Sequence, residues 1–534
     1  MSLLLALLLA VPAAAEPLTG KRLALHVLNR LAYGPRPGEA ERVAREGVDA
    51  WIERQLAPEP LVDPACAAAT ARYPTQKMSA GELFDAFPPA KKRILFGLFS
   101  KESRPQRIIE EAAAAKLERA VSCEAQLREV LTDFWFNHFN VDARKGPLKW
   151  GFVPYERDVI RPRVLGKFRE LLGAVAHSPA MLAYLDNAQS TVDSRYAPAD
   201  VQEEISRMEG QMAERGDKRP KLGLNENYAR ELLELHSVGV DGGYSQKDVT
   251  ELARVLTGWS FARTGKKGRG DYVFQFRPRM HDPGEKKVLG RTFGPAYFGS
   301  PPGHGEKEGE AALDLLARHP ATARFIALKL CRRFVSDDPP EALVARAAAR
   351  FGASDGDLRA VLVELFSSSE FRSEEAFRAK VKTPFEYAAS LLRATHAELR
   401  DPVQAARGLW RLGQPPYLCE PPTGWPDRAE AWVSAGALLE RLRVAQGLVR
   451  GGPKFPAAAD AAVIAPEGGE PRTALGSLVS VLLGGEASER TLKALEKHLE
   501  DPELKRARLD DKPRAPDGRL LAVLVLGSPE FQRR

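Results

Sequence analysis

Cysteine is scarce: four in 534 residues, at positions 66, 123, 331 and 419, with no C-x-x-C pair among them. That spacing argues against a zinc knuckle. It leaves two readings of the sulfurs: one or two disulfides in an oxidising compartment, or free thiols buried in a helical core. After Val11 no apolar run is long enough to cross a bilayer, so no transmembrane segment is expected. The chain has no G-x-S-x-G elbow, P-loop or dinucleotide fingerprint in a believable context, and no H-x-x-x-H ligand pair. Net charge is +7, but the basic residues are spread along the chain, with small runs at positions such as 91–93 and 266–269. Nucleic-acid binding needs a clustered basic stripe and is not expected. Alternating strand patterns are rare as well.

What is present is mostly amphipathic helix. The chain opens "MSLLLALLLAVPAAAEP": a short apolar core from Leu3 to Val11, then Ala13, Ala14 and Ala15 before Glu16. This reads as a secretory signal peptide over residues 1–15, although its first residues carry no Lys or Arg. Residues 16–450 read as a helical body, interrupted by a charged insertion at 195–220. Residues 451–471, rich in Gly, Pro and Ala, read as a linker to a C-terminal helical segment at 472–534. One extended pair is expected, 272–277 with 287–293 across "PRMHDPGEK". The expected fold is therefore mainly α, a multi-helix body with one small β-hairpin. An internal echo links "DGDLRAVLVELFSSSEF" (355–371) to "DGRLLAVLVLGSPEF" (517–531), which suggests a duplicated helical unit or shared capping chemistry.

The densest chemistry is "NENYARELLELHSVGVDGGYSQKDVTELARVLTGW", residues 225–259. On a helical wheel Tyr228, Leu232 and Leu233 form an apolar arc, and Asn225 and His236 fall inside it. Glu226, Arg230 and Glu234 form an i,i+4 ladder on the far side, which explains the charges as a salt-bridged flank. Gly239, Gly242 or Gly243 should end the helix in a left-handed conformation, and Ser245 with Asp248 should form a capping box for the next. A calcium loop is disfavoured, because Gly243 and Leu252 stand where ligands are required. In "LTDFWFNHFNV" (131–141) His138 shares a face with Leu131, Phe134 and Trp135, beside Asn137 and Asn140. "HDPGEK" places His281 and Asp282 at a turn, and His26 and Arg30 share a helix face. A histidine on an apolar face needs a partner or a pocket.

These stretches, with "HVLNRLAYGPRPGE", "AHSPAMLAYLDN", "HPATARFIALKLCRRFVSDDPP" and "PPTGWPD", resemble the bacterial domain-of-unknown-function 1800 family over about residues 21–450. The resemblance implies an exported, largely helical protein and no particular activity. Motif positions that also stand out physically are His26, Arg30, Asn137, His138, Asp186, Asn187, Asn225, Glu226, Asn227, Tyr228, Arg230, Glu231, His236, His281, Asp282, Glu285 and Trp425. In "IRPRVLG" the family pattern suggests His-Ala where Arg163 and Val164 stand, so this chain lacks a histidine there.

Two functions follow as expectations. One is an exported hydrolase-type enzyme acting on a cell-surface or extracellular substrate. Its site would join His138, Asn225, Tyr228 and His236, with His281 and Asp282 as a lid or second wall. The other is a non-catalytic binding or accessory protein of the cell envelope, whose polar motifs pin helices and whose aromatic loops dock a protein partner. No cofactor is indicated. A metal is left open, with the three histidines as its ligands if it binds. The discriminating observation is whether those histidines open onto one pocket.

Overall fold

Many helices in this chain start with the same short signal, a side-chain cap followed by proline. Asp63-Pro64, Ser178-Pro179, Thr383-Pro384, Asp401-Pro402 and Ser528-Pro529 each place a capping oxygen on an early helical N–H. The proline then occupies a position whose N–H would have no helical partner anyway. The computed structural model describes residues 16–57, 63–89, 104–193, 197–214, 222–265, 270–294, 304–465, 471–500 and 518–534. The signal peptide read at residues 1–15 lies outside them.

The fold is mainly α, as expected, and its helices share one continuous apolar core reaching from Leu18 to Phe531. The helices Pro471–Leu483 and Gly518–Leu526 add Leu478, Leu482, Leu521 and Val525 to that core. Residues 451–465 are tied down in part. Ala457–Ala458 (β6) pairs with Glu398–Leu399 (β5), and Ala461–Ile464 forms a helical turn. The charged insertion contains the helix Ala199–Glu214. Its Val201 and Ile205 bury against Val192, Leu222 and Met280 in a small core of their own.

The extended structure corrects the single hairpin. Trp259–Arg263 (β1) pairs with Tyr272–Phe276 (β2), in register from Trp259 opposite Phe276 to Arg263 opposite Tyr272. Lys286–Val288 (β3) pairs separately with Arg291–Phe293 (β4). The β3–β4 turn is Leu289-Gly290, with φ of 48° and 82°. Two successive left-handed residues are what a tight two-residue hairpin requires. The partner of β2 was hidden because β1 follows a helix directly. Gly258 (φ 80°) makes that switch, and a Cβ there would lie 2.6 Å from the Arg277 carbonyl oxygen.

The echo at 355–371 and 517–531 has a common local form. Ser368 Oγ accepts from Phe371 N at 3.2 Å, and Ser528 Oγ accepts from Phe531 N at 3.3 Å. Both phenylalanines are buried.

Candidate functional site

The first helix of the 225–259 stretch runs only from Asn227 to Glu234. Asn225 therefore precedes it, and a helical wheel does not apply to that residue. Its Oδ1 accepts from Asn227 N (2.9 Å), while its amide donates to the Asp186 carbonyl (3.3 Å). Asn227 donates to the Leu185 carbonyl at 3.3 Å. From the other side, Asn187 donates to the carbonyls of Leu256 (3.2 Å) and Trp259 (3.1 Å). Three amides thus bolt the 185–190 loop, where Asp186 is left-handed (φ 59°), across both ends of the stretch. Glu226 accepts from Arg230 (3.2 Å), Gln246 (2.8 Å) and Thr250 (2.6 Å), which fastens this helix to the helix Gln246–Val255. The Ser245–Asp248 capping box is formed, and Gly239 (φ 85°) turns the chain after the first helix.

That turn swings His236 inward, next to His138 at the end of the helix Gln126–His138. Both are buried, with ring centroids 6.3 Å apart, among Trp135, Phe139 and Phe325. His138 Nε2–H donates to the His236 carbonyl at 3.2 Å, which leaves Nδ1 as a bare acceptor. Burial lowers both imidazole pKa values and nearby Lys329 lowers them further, His236 to about 3, so both rings are neutral at ordinary pH. Tyr228, whose ring lies 6.4 Å from His236, is fully buried, and burial pushes its phenol pKa up. Trp135 Nε1, His138 Nδ1, His236 Nδ1 and Tyr228 Oη have no protein hydrogen-bond partner. The fold thus gathers three of the six expected site residues in a closed aromatic cluster. Neither of the cavities described below touches them.

His281 and Asp282 are not brought to that cluster. His281 Nδ1–H donates to the Thr257 carbonyl at 3.0 Å, and its Nε2 lies 3.2 Å from both Glu308 and Lys286. Lys286 Nζ donates to Glu308 Oε2 at 2.7 Å with its side chain wholly enclosed. Asp282 accepts from Arg254 at 2.8 and 3.1 Å. Burial alone would raise its carboxyl pKa, but hydrogen bonds from Arg254 and Gly284 N outweigh it and hold the group below its usual range. Gly305, on the helix His304–Ala317, lets His281 rest on bare backbone: a Cβ there would come within 2.5 Å of the ring. This cluster fastens the two hairpins to that helix.

The remaining motif amides also hold backbone. Asn137 exchanges two hydrogen bonds with Trp425, donating to its carbonyl (2.9 Å) and accepting from its N–H (2.7 Å). Asn140 donates to the carbonyls of Cys419 (2.9 Å) and Pro421 (2.8 Å). Together they anchor the 414–427 loop.

One site was not anticipated from the sequence. A cavity of about 230 Å3 is walled by Cys66, Arg119, Glu156, Arg157, Arg161 and Tyr417. Behind it Glu129 takes hydrogen bonds from Arg119 (3.1 Å) and Arg161 (2.9 Å). Glu156 accepts from Arg119 and from Tyr417 Oη, both at 2.7 Å. Pro154 cannot donate a helical hydrogen bond, and the residues just after it, Tyr155–Ile160, form a π-helical turn. Cys66 is joined to Cys123 in a disulfide, while Cys331 and Cys419 are free and buried. Despite burial, Arg161 and Arg119 hold Glu129 down to about 2, and Arg119, Lys116 and Arg161 likewise depress Glu156. Burial raises Tyr417 well above its usual value. These carboxylates stay ionised and the phenol stays protonated near neutral pH, so they can hold a polar ligand but make poor proton-transfer groups. No sequence signal singled these residues out, because Arg119, Glu129, Glu156 and Arg161 each stand beside or near other charges, such as Glu118, Arg128, Arg157 and Arg163, and only the packing shows which of them are buried.

Among the described residues, the one set of ligand-type side chains close enough to bracket a metal ion is Asp63, Cys66 and Cys123, and its two sulfurs are bonded to each other. No curated protein and no solved structure matches the chain. The chain does match, over residues 26–533, the family described as "Protein of unknown function (DUF1800)", and it belongs to that family.

Proposed function

We propose that this chain is an exported, non-catalytic binding or accessory protein of the cell envelope. The observation that carries this reading is the fate of the motif side chains. Asn137, Asn140, Asn187, Asn225 and Asn227 all spend their amides on backbone carbonyls. His138 and His236 are enclosed and neutral, and His281 belongs to a different cluster. A hydrolase would need a group on a cavity wall that can transfer a proton near neutral pH. Export is supported by the apolar core from Leu3 to Val11 with alanines before Glu16, and by the Cys66–Cys123 bond, since disulfides persist in oxidising compartments. No helix among the described residues is long and apolar enough to cross a membrane.

The test uses protein recovered from the envelope or medium. N-terminal sequencing should find Glu16 first, and retention of Met1 in the cytoplasm would refute export. Elemental analysis should find no stoichiometric metal, and the variants His138→Ala, His236→Ala and His281→Ala should only melt earlier. A near-stoichiometric metal lost from all three would overturn the non-catalytic reading and restore a histidine-centred site.

A further inference from the structure

A second groove, of about 270 Å3, lies between the helices Gln106–Ser122 and Pro402–Leu412. The second helix buries Ala406, Leu409 and Leu412 in the core, which turns Arg407 and Trp410 outward. Trp410 is 50% exposed, among the most exposed large apolar side chains described. The floor beneath it is apolar, with Ile109 and Leu418 buried. The rim is polar: Arg407 Nη2 donates to Glu110 Oε1 at 2.7 Å, with Gln106 beside them.

We propose that this groove binds one sugar unit of a neutral glycan. Three features select that chemistry. The indole presents a flat apolar face, which suits the C–H face of a pyranose ring. The Arg407–Glu110 pair cancels its own charge, so the rim has no net sign with which to attract phosphate, uronate or nucleic acid. Yet the guanidinium keeps further N–H donors, the carboxylate keeps lone pairs, and the Gln106 amide offers both. Adjacent sugar hydroxyls, each a donor and an acceptor, match such a mixed set. The volume is just below the ~300 Å3 at which sites for drug-sized ligands begin, which fits one ring of a chain continuing along the open side. A proline-rich peptide would fit less well, because grooves for extended proline helices are lined with several aromatic side chains and this one has a single indole. The assignment deepens the binding-protein reading and rests on it.

The test is calorimetry and indole fluorescence on the full mature protein. The probes are the β-1,4-linked hexamers of glucose and of N-acetylglucosamine, with decaproline and polygalacturonate as competing classes. At least one hexamer should bind in the low millimolar range or tighter. Trp410→Ala should weaken it about tenfold or more without moving the melting temperature. Gln106→Ala, at an exposed position, should weaken it too and serves if the tryptophan variant folds poorly. The assignment is overturned if neither hexamer binds, if both variants bind as the parent does, or if decaproline or polygalacturonate occupies the groove instead. Metal in the histidine experiment would remove the binding-protein reading. Failure of the hexamers with that experiment intact would remove only the glycan.

Discussion

Replacing His236 with methionine should make the protein more resistant to acid. A solvated imidazole titrates near 6.5, and in this fold burial and Lys329 hold His236 at about 3. Between those values the unfolded chain binds a proton that the folded chain does not. Stability therefore falls as pH drops through 6.5, and the whole term is lost below 3. The full gap is worth ~5 kcal/mol, of which ~2 kcal/mol is lost between pH 7 and pH 5. Methionine has no titrating group and adapts its shape to an aromatic surround. It also removes the unpartnered Nδ1, a buried atom whose desolvation costs ~1–3 kcal/mol, against imperfect packing that costs about as much. Near pH 7 the variant should thus lie close to the parent. At pH 5 it should gain ~2 kcal/mol relative to the parent. Urea unfolding followed by far-ultraviolet circular dichroism at both pH values measures this difference. An equal difference at the two pH values would refute the reasoning, as would an NMR titration placing His236 near 6.5.

Three further outcomes are expected. Cys66→Ser with Cys123→Ser opens a cross-link spanning 57 residues and should cost ~4 kcal/mol by loop entropy; a parent melting temperature unchanged by reductant would contradict this. Glu308→Leu strands the enclosed Lys286 ammonium and should cost ~3–5 kcal/mol, with much of the loss recovered by adding Lys286→Met; equal losses in the single and double variants would deny the pairing. Asn137→Ala removes both hydrogen bonds to Trp425, so limited proteolysis should cut the 414–427 loop faster, and an unchanged cleavage rate there would show that the loop is held by other contacts.

The sequence by itself determined the features whose physics is local. A cap oxygen and the N–H it satisfies lie two or three residues apart, so Ser245 with Asp248 marks a helix start without a fold. Apolar spacing likewise determined the mainly helical class. The density of polar groups at 225–259 marked the stretch as special, but nothing local states what those groups touch. Asn225 meets Asp186 39 residues away, Asn140 meets Cys419 279 residues away, and Glu39 meets Arg393 354 residues away. The same holds for the pairing of Cys66 with Cys123, for the hairpin partners, and for the separation of His281 from His138. A buried polar group must find a partner, but the requirement does not specify which one, and only the packing of distant helices brings a particular carbonyl or carboxylate within reach.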